Sequence, residues 1–159
     1  MPVIIDGHNL FHSIQKIDED SASISEVQLC RILGRYLKLK GETGELVFDG
    51  TGPRDKSGFD NISNLEVFFA GLGSDADTVI ADKIRANTSP KRLTVVSSDR
   101  SVRKAARARK AAAVKSEVFW GNVLKQLSRK RTIREPAEKR LGLSESETKQ
   151  WLDFFGLEE

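Results

Sequence analysis

Three short apolar runs in this chain each lead into an aspartate. Val3-Ile4-Ile5 leads into Asp6, Leu46-Val47-Phe48 into Asp49, and Thr94-Val95-Val96, by way of two serines, into Asp99. Runs of this length, rich in β-branched residues, read as buried strands. Residues 65–70 and 116–119 supply two more. Between the strands the periodicity is helical. Ser25 and Gln28 have the spacing of a capping box, and Val27, Leu29, Ile32, Leu33, Tyr36, Leu37 and Leu39 then share a helix face that Gly41 and Gly44 end. A second helix is expected over about 75–87, a strongly basic third over about 101–112, and helix again from Trp120 onward. Residues 50–64 hold too much Gly, Pro and charge for a regular element. Strand alternating with helix predicts βαβ units and a mostly parallel sheet covered on both faces.

With 159 residues, the chain is expected to form one main domain over 1–125. Residues 126–159 read as a helical C-terminal extension packing on that domain or on a partner. Within it, Ser144 and Glu147 form a second capping box, and Trp151, Leu152, Phe154, Phe155 and Leu157 an apolar patch. The single cysteine, Cys30, excludes an internal disulfide framework and a Cys-based zinc site. No apolar run approaches the roughly 20 residues of a membrane span. The opening MPVIIDGHN has neither the basic start nor the long apolar stretch of a signal peptide. A cytoplasmic protein with no membrane partner is expected, and monomer and homodimer both stay open.

Charge is distributed unevenly. Residues 1–84 hold 8 Lys and Arg against 14 Asp and Glu; residues 85–140 hold 17 against 4; residues 141–159 hold 1 against 5. An acidic front and a basic rear in one domain point to a polyanion partner and to a metal.

In open parallel α/β sheets, ligands bind outside the carboxyl ends of the strands. Asp6, Asp49 and Asp99 stand at such ends, and Asp75 and Asp77 open the helix after the third strand. Each also has a plainer reading. Asp75 fits an N-cap, Asp77 a first-turn carboxylate favoured by the helix dipole, Asp99 a cap of the basic helix, and Asp49 a turn residue. Gathered in one crevice, however, carboxylates repel one another unless a cation lies among them. Oxygen donors of this type suit Mg²⁺ or Mn²⁺, and such an ion can activate water at a phosphate. The helix after Asp99 carries Arg100, Arg103, Lys104, Arg107, Arg109 and Lys110, with Arg103 and Arg107 on one face. Phosphodiester cleavage is the chemistry this combination suits best. Asp82 lies about 140° around its helix from Asp77 and is expected to pair with Arg85 at the surface. Other classes lack their signatures. There is no GxxxxGK[ST] loop and no third glycine of a dinucleotide fingerprint, so no small-molecule cofactor is expected. No Ser-His-Asp or Cys-His arrangement stands out. His8 occupies the place where a haloacid-dehalogenase-type phosphatase needs a second aspartate.

The strings IIDGHNL, LVFDG, GSDADTVIADKI and VVSSDRSVRKAA together resemble the YacP-like NYN-domain family of the PIN-like nuclease superfamily. The likeness covers roughly residues 1–125. It implies a three-layer α/β/α sandwich, an acidic pocket binding Mg²⁺ or Mn²⁺, and metal-dependent (endo)ribonuclease activity on RNA, structured or ribosome-associated RNA included, leaving 5′-phosphate and 3′-hydroxyl ends. Position by position, it implies that Asp6, Asp77 and Asp99 are metal carboxylates, with Asn9 their polar partner. Ser98 is then a hydroxyl contact to the site, and Arg100 and Arg103 lie near the phosphate, with Lys104 and Arg107 beside them on the backbone. Many relatives carry acids where this chain has Ser74 and Thr78, and Asp75 stands next to the first as an auxiliary ligand. Apart from the resemblance, Arg54 and Lys56 in the loop 50–64 are candidates to clamp the strand, an idle surface loop being the equal alternative. A non-catalytic RNA-binding module with a degenerate PIN-like site is the alternative, supported by those two departures and by the basic stretch KQLSRKRTIR.

Overall fold

The computed structural model describes residues 2–17 and 24–134. The apolar runs assemble into one five-stranded sheet, with every neighbouring pair parallel, in the order β3-β2-β1-β4-β5. The strands are β1 (Pro2–Asp6), β2 (Thr43–Phe48), β3 (Leu65–Phe69), β4 (Thr94–Val96) and β5 (Ala112–Val114). The helices are α1 (Gly7–Ile17), α2 (Glu26–Lys40), α3 (Ala76–Ala86), α4 (Arg100–Ala108) and α5 (Ser116–Arg134). The three-layer α/β fold expected from the alternation is the one observed.

Side chains alternate across a strand, and here this separates two cores. Val3, Ile5, Leu46, Phe48 and Val96 face α1, α2 and α5, where Leu10, Ile14, Leu33, Trp120 and Val123 complete the packing. Ile4, Val47 and Val95 face α3 and α4, against Ile80, Ile84, Val102 and Ala106. Burying side chains of this size stabilises by about 1.5–3 kcal/mol each, so both helix layers are firmly seated. No α-helix joins β2 to β3. A short 3-10 turn, Ser57–Phe59, covers that edge instead, and Phe59 packs edge-on against Phe48 and Phe69.

Helix α2 begins as its sequence predicts, with Ser25 and Gln28 exchanging both bonds of the capping box, and ends at Gly41 in the left-handed region. Gly44 lies within β2 and is no part of that ending. Helix α1 has no counterpart in the expected elements. It starts directly from β1 with no intervening loop, so that Gly7 lies against β2. A Cβ there would stand 2.6 Å from the Phe48 ring and 2.9 Å from the Val47 carbonyl, too close for any other residue. The fifth strand also differs. Residues 116–119 open α5, and the strand is the short alanine-rich segment before them. The basic helix accordingly stops at Ala108, and Lys110 turns the chain with a φ of 65°. The expected boundary after residue 125 falls inside α5, whose Leu127 is buried in the core. The Ser144–Glu147 box and the apolar patch from Trp151 to Leu157 lie outside the described residues. No described helix is long and apolar enough to cross a membrane.

Candidate active site

Connections from β1 run outward to β2 and β3, then cross back to β4 and β5. The switch point therefore lies between β1 and β4, where a crevice forms beyond the strand ends. It has a volume of about 500 Å³ and is lined by Asp6, His8, Asn9, Phe11, His12, Gln15, Asp49, Asp77 and Asp99. Three of the four expected carboxylate ligands, Asp6, Asp77 and Asp99, thus meet in one place, joined by Asp49. A larger cavity of about 780 Å³ lies between α2 and residues 60–63, with Asp60 its one carboxylate; the chemistry gathers at the switch point.

Asp6 is the most constrained of the four. It is 4% exposed. Burial pushes its carboxyl up to about 6, the Ser97 hydroxyl and the Asn9 backbone N–H hold it down, and the charges of Asp77 and Asp49 raise it further. Parallel register pairs Ile5 with Val96, which sets Ser97 beside Asp6. The Ser97 hydroxyl donates to Asp6 Oδ2 at 3.0 Å and accepts the Asp99 N–H at 3.0 Å, linking the two acids through one atom. Ser97 is fully buried.

Asp99 caps α4. Its Oδ1 accepts from the Ser101 N–H, the Ser101 hydroxyl and, at 3.3 Å, the Val102 N–H. The Ser101 bonds, the side-chain one foremost, hold its carboxyl below the usual range. All three bonds fall on one oxygen, which leaves Oδ2 for the crevice. Asp77, on the first turn of α3, has its carboxyl raised by partial burial and then by the charges of Asp99, Asp75 and Asp49. Asp49 Oδ1 accepts the Ala76 N–H at 2.7 Å, tying the start of α3 to the end of β2.

The structure gives the remaining expected residues other positions. Asp75 is the N-cap of α3, with Oδ1 accepting the Thr78 N–H at 2.8 Å. It is exposed and does not line the crevice with Asp6 and Asp99. Asn9 lines the crevice, but its Oδ1 accepts the Ser98 N–H at 2.9 Å and the Ser116 hydroxyl at 2.6 Å, fastening α1 to the end of β4 and the start of α5. The Ser98 hydroxyl donates to Glu117 at 2.8 Å and accepts the Ser116 N–H at 3.0 Å, so both its functions are engaged at α5. Its neighbour Ser97 makes the contact to the acid. Arg100, Lys104 and Arg107 are exposed along α4, Arg103 is half-buried, and none of the four lines the crevice. Asp82 pairs with Arg85.

Two features of the site have weak or no signal in the sequence. Ser97 could be found only from the β1–β4 register, which composition does not disclose. His8 bridges two acids: Nε2 stands 3.2 Å from Glu26, Nδ1 is 3.5 Å from the Asp49 carboxylate and accepts the Asp49 N–H at 3.2 Å, and the ring packs on Phe48.

The family model of the YacP-like NYN domain matches residues 3–154. Among solved structures, two crystal structures of Rae1 (YacP) from Bacillus subtilis are similar to this chain. One, of a point mutant, has a TM-score of 0.65 at 18% identity, covering 96% of this chain and 92% of that one. The other has a TM-score of 0.61 at 21% identity, covering 97% and 94%. No curated protein matches the chain.

Proposed function

Because this chain belongs to the YacP-like NYN domain family, a group of nuclease-like, RNA-related domains, we propose that its carboxylate crevice hydrolyses RNA phosphodiester bonds with Mg²⁺ or Mn²⁺. The observation that carries this reading is Asp6: a buried aspartate, raised to about 6, sharing the switch-point crevice with three further carboxylates, Asp49, Asp77 and Asp99. Such an arrangement is destabilising for a protein with nothing to place there.

The donor set fits a hard divalent cation. Asp6, Asp77 and Asp99 would hold it, all through oxygen. Among the described residues, no three His, Cys, Asp or Glu side chains are grouped closely enough to enclose an ion by themselves, so the three carboxylates would hold it partly through its bound waters, as Mg²⁺ allows. When bound, such an ion supplies an activated water and neutralises charge on the phosphate.

The chain's own residues do the positioning. Ser97 fixes Asp6 and Asp99 relative to each other, and Asn9 locks the helix that follows Asp6 onto β4 and α5. Arg100, Lys104 and Arg107, exposed on the helix that Asp99 caps, hold the sugar-phosphate backbone.

The test is cleavage of a labelled single-stranded RNA in Mn²⁺ or Mg²⁺ and in excess chelator, with Asp99→Asn run in parallel. Asparagine caps a helix as well as aspartate does, so this variant should fold and unfold like wild type. Metal-dependent cutting that leaves 5′-phosphates and is lost in Asp99→Asn is the expected result. RNA bound equally in chelator and metal, and never cut, would give the molecule to the non-catalytic binding alternative.

A further inference from the structure

Across the crevice from α4, residues 70–76 carry the chain from β3 to α3. Backbone bonds fasten this segment to the end of β2. The Ala70 N–H reaches the Phe48 carbonyl at 2.9 Å, and the Gly71 N–H the Gly50 carbonyl at 2.8 Å. Its far end is held by the Ala76 N–H on Asp49. Gly71 has a φ of +85°, in the left-handed region that favours glycine. The next residue, Leu72, is 92% exposed, more than any other large hydrophobic side chain among the described residues. On the same rim, the Lys56 ammonium stands 5.5 Å from the centre of the Phe69 ring, two positions before Gly71. An exposed leucine on a loose tip would carry no information. This one stands in a segment fastened on both sides of it, at Ala70 and Gly71 before and at Ala76 after, the last on Asp49, a carboxylate that lines the crevice.

We propose that Leu72 and Lys56 form a second contact for the RNA strand, on the opposite side of the scissile bond from α4. Leu72 lies against the face of an unstacked base, and Lys56 faces the adjoining phosphate. This contact rests on the ribonuclease reading above. A single apolar side chain among charges is far too small for a stable protein interface, which takes about 800 Å² per partner. It does match one flat nucleobase, and every base offers such a face. The contact therefore grips without selecting sequence.

The experiment compares wild type with Leu72→Ser and Leu72→Phe. Binding of a short labelled single-stranded RNA is measured in chelator, and kcat and KM in Mn²⁺. Leu72→Ser should weaken binding and raise KM roughly three- to tenfold, with kcat and the melting temperature unchanged, and Leu72→Phe should restore both. RNA made abasic at the contacted position should lose the same factor with wild type and nothing further with Leu72→Ser. Equal binding by wild type and Leu72→Ser, or an equal further loss for both on abasic RNA, would overturn the contact and leave the ribonuclease reading standing. Wild type that neither binds nor cuts RNA would overturn both. Leu72→Ser that binds RNA normally but sediments as a smaller species would assign the turn to a protein partner instead.

Discussion

Well below pH 4 the Asp6 carboxyl is neutral in the folded and the unfolded chain alike. As pH rises, the unfolded chain releases this proton first, because in the fold the carboxyl is raised to about 6. Between these values the native state binds more protons, so stability falls with rising pH, by up to about 3 kcal/mol, and then levels off. Asp6→Asn keeps an acceptor for the Ser97 hydroxyl and removes the buried charge. Its urea midpoint should match wild type well below pH 4 and exceed it at pH 8. Mn²⁺ should raise the wild-type midpoint at pH 8 and leave that of the variant unmoved. At this scale the sequence was informative where a side chain ends a strand or opens the helix after one: Asp6, Asp77 and Asp99 line one crevice. It was less so where two plausible neighbours compete. Ser97 and Ser98 differ by one position and so point to opposite sides of the strand end, and only the β1–β4 pairing decides which of them reaches Asp6. Asp75 shows the converse, since its cap was as legible as its ligand reading and the cap is where the structure uses it.

Strands with strong β-branched runs were legible as elements, and so was α2 with its paired caps. Helix α1 was hidden because it shares a boundary with β1 and has no loop or capping residue to announce it. The alanines of β5 have little strand propensity, so the adjoining Ser116–Phe119 drew the assignment. In fact Phe119, Trp120, Val123 and Leu127 are buried at helical spacing. Leu127 lies beyond the expected end of the main domain and is 2% exposed. Leu127→Ala should therefore cost about 2–5 kcal/mol in a denaturant titration, as for any fully packed core leucine. A cost near zero would mean that α5 leaves the domain before that point.

The molecule as a whole sorts its charge by the sheet. Strand ends on one edge gather carboxylates, while α4 carries cations into solvent beside them. On the proposed function, an anionic strand would be drawn to α4 and kept from the crevice until a cation offsets the acids. Affinity for single-stranded RNA should fall with salt, losing a slope of about 0.7 in log–log terms for each phosphate neutralised. Replacing exposed Lys104 and Arg107 by glutamine should reduce that slope by roughly 1.4, measured by anisotropy in chelator, without lowering the melting temperature. The overall layering was readable from the alternation of elements. Strand order was not, and strand order decides that β1 and β4 are neighbours.

The fastening of Asn9 to Ser98 and Ser116 spans 89 and 107 positions of the chain. A ribosome making this protein therefore produces Asp6 well before the groups that hold Asp6 and Asn9 in place. Until residue 94 emerges, β1 is an open sheet edge with no β4 beside it, and Asp6 has no Ser97 hydroxyl against it. The crevice cannot close until Asp99 and then Ser116 have been made. Chains abandoned before Asp99 carry the acidic front and few of the basic residues of 85–140, so on the proposed function an unfinished product would have neither a site to cut RNA nor the charge to hold it.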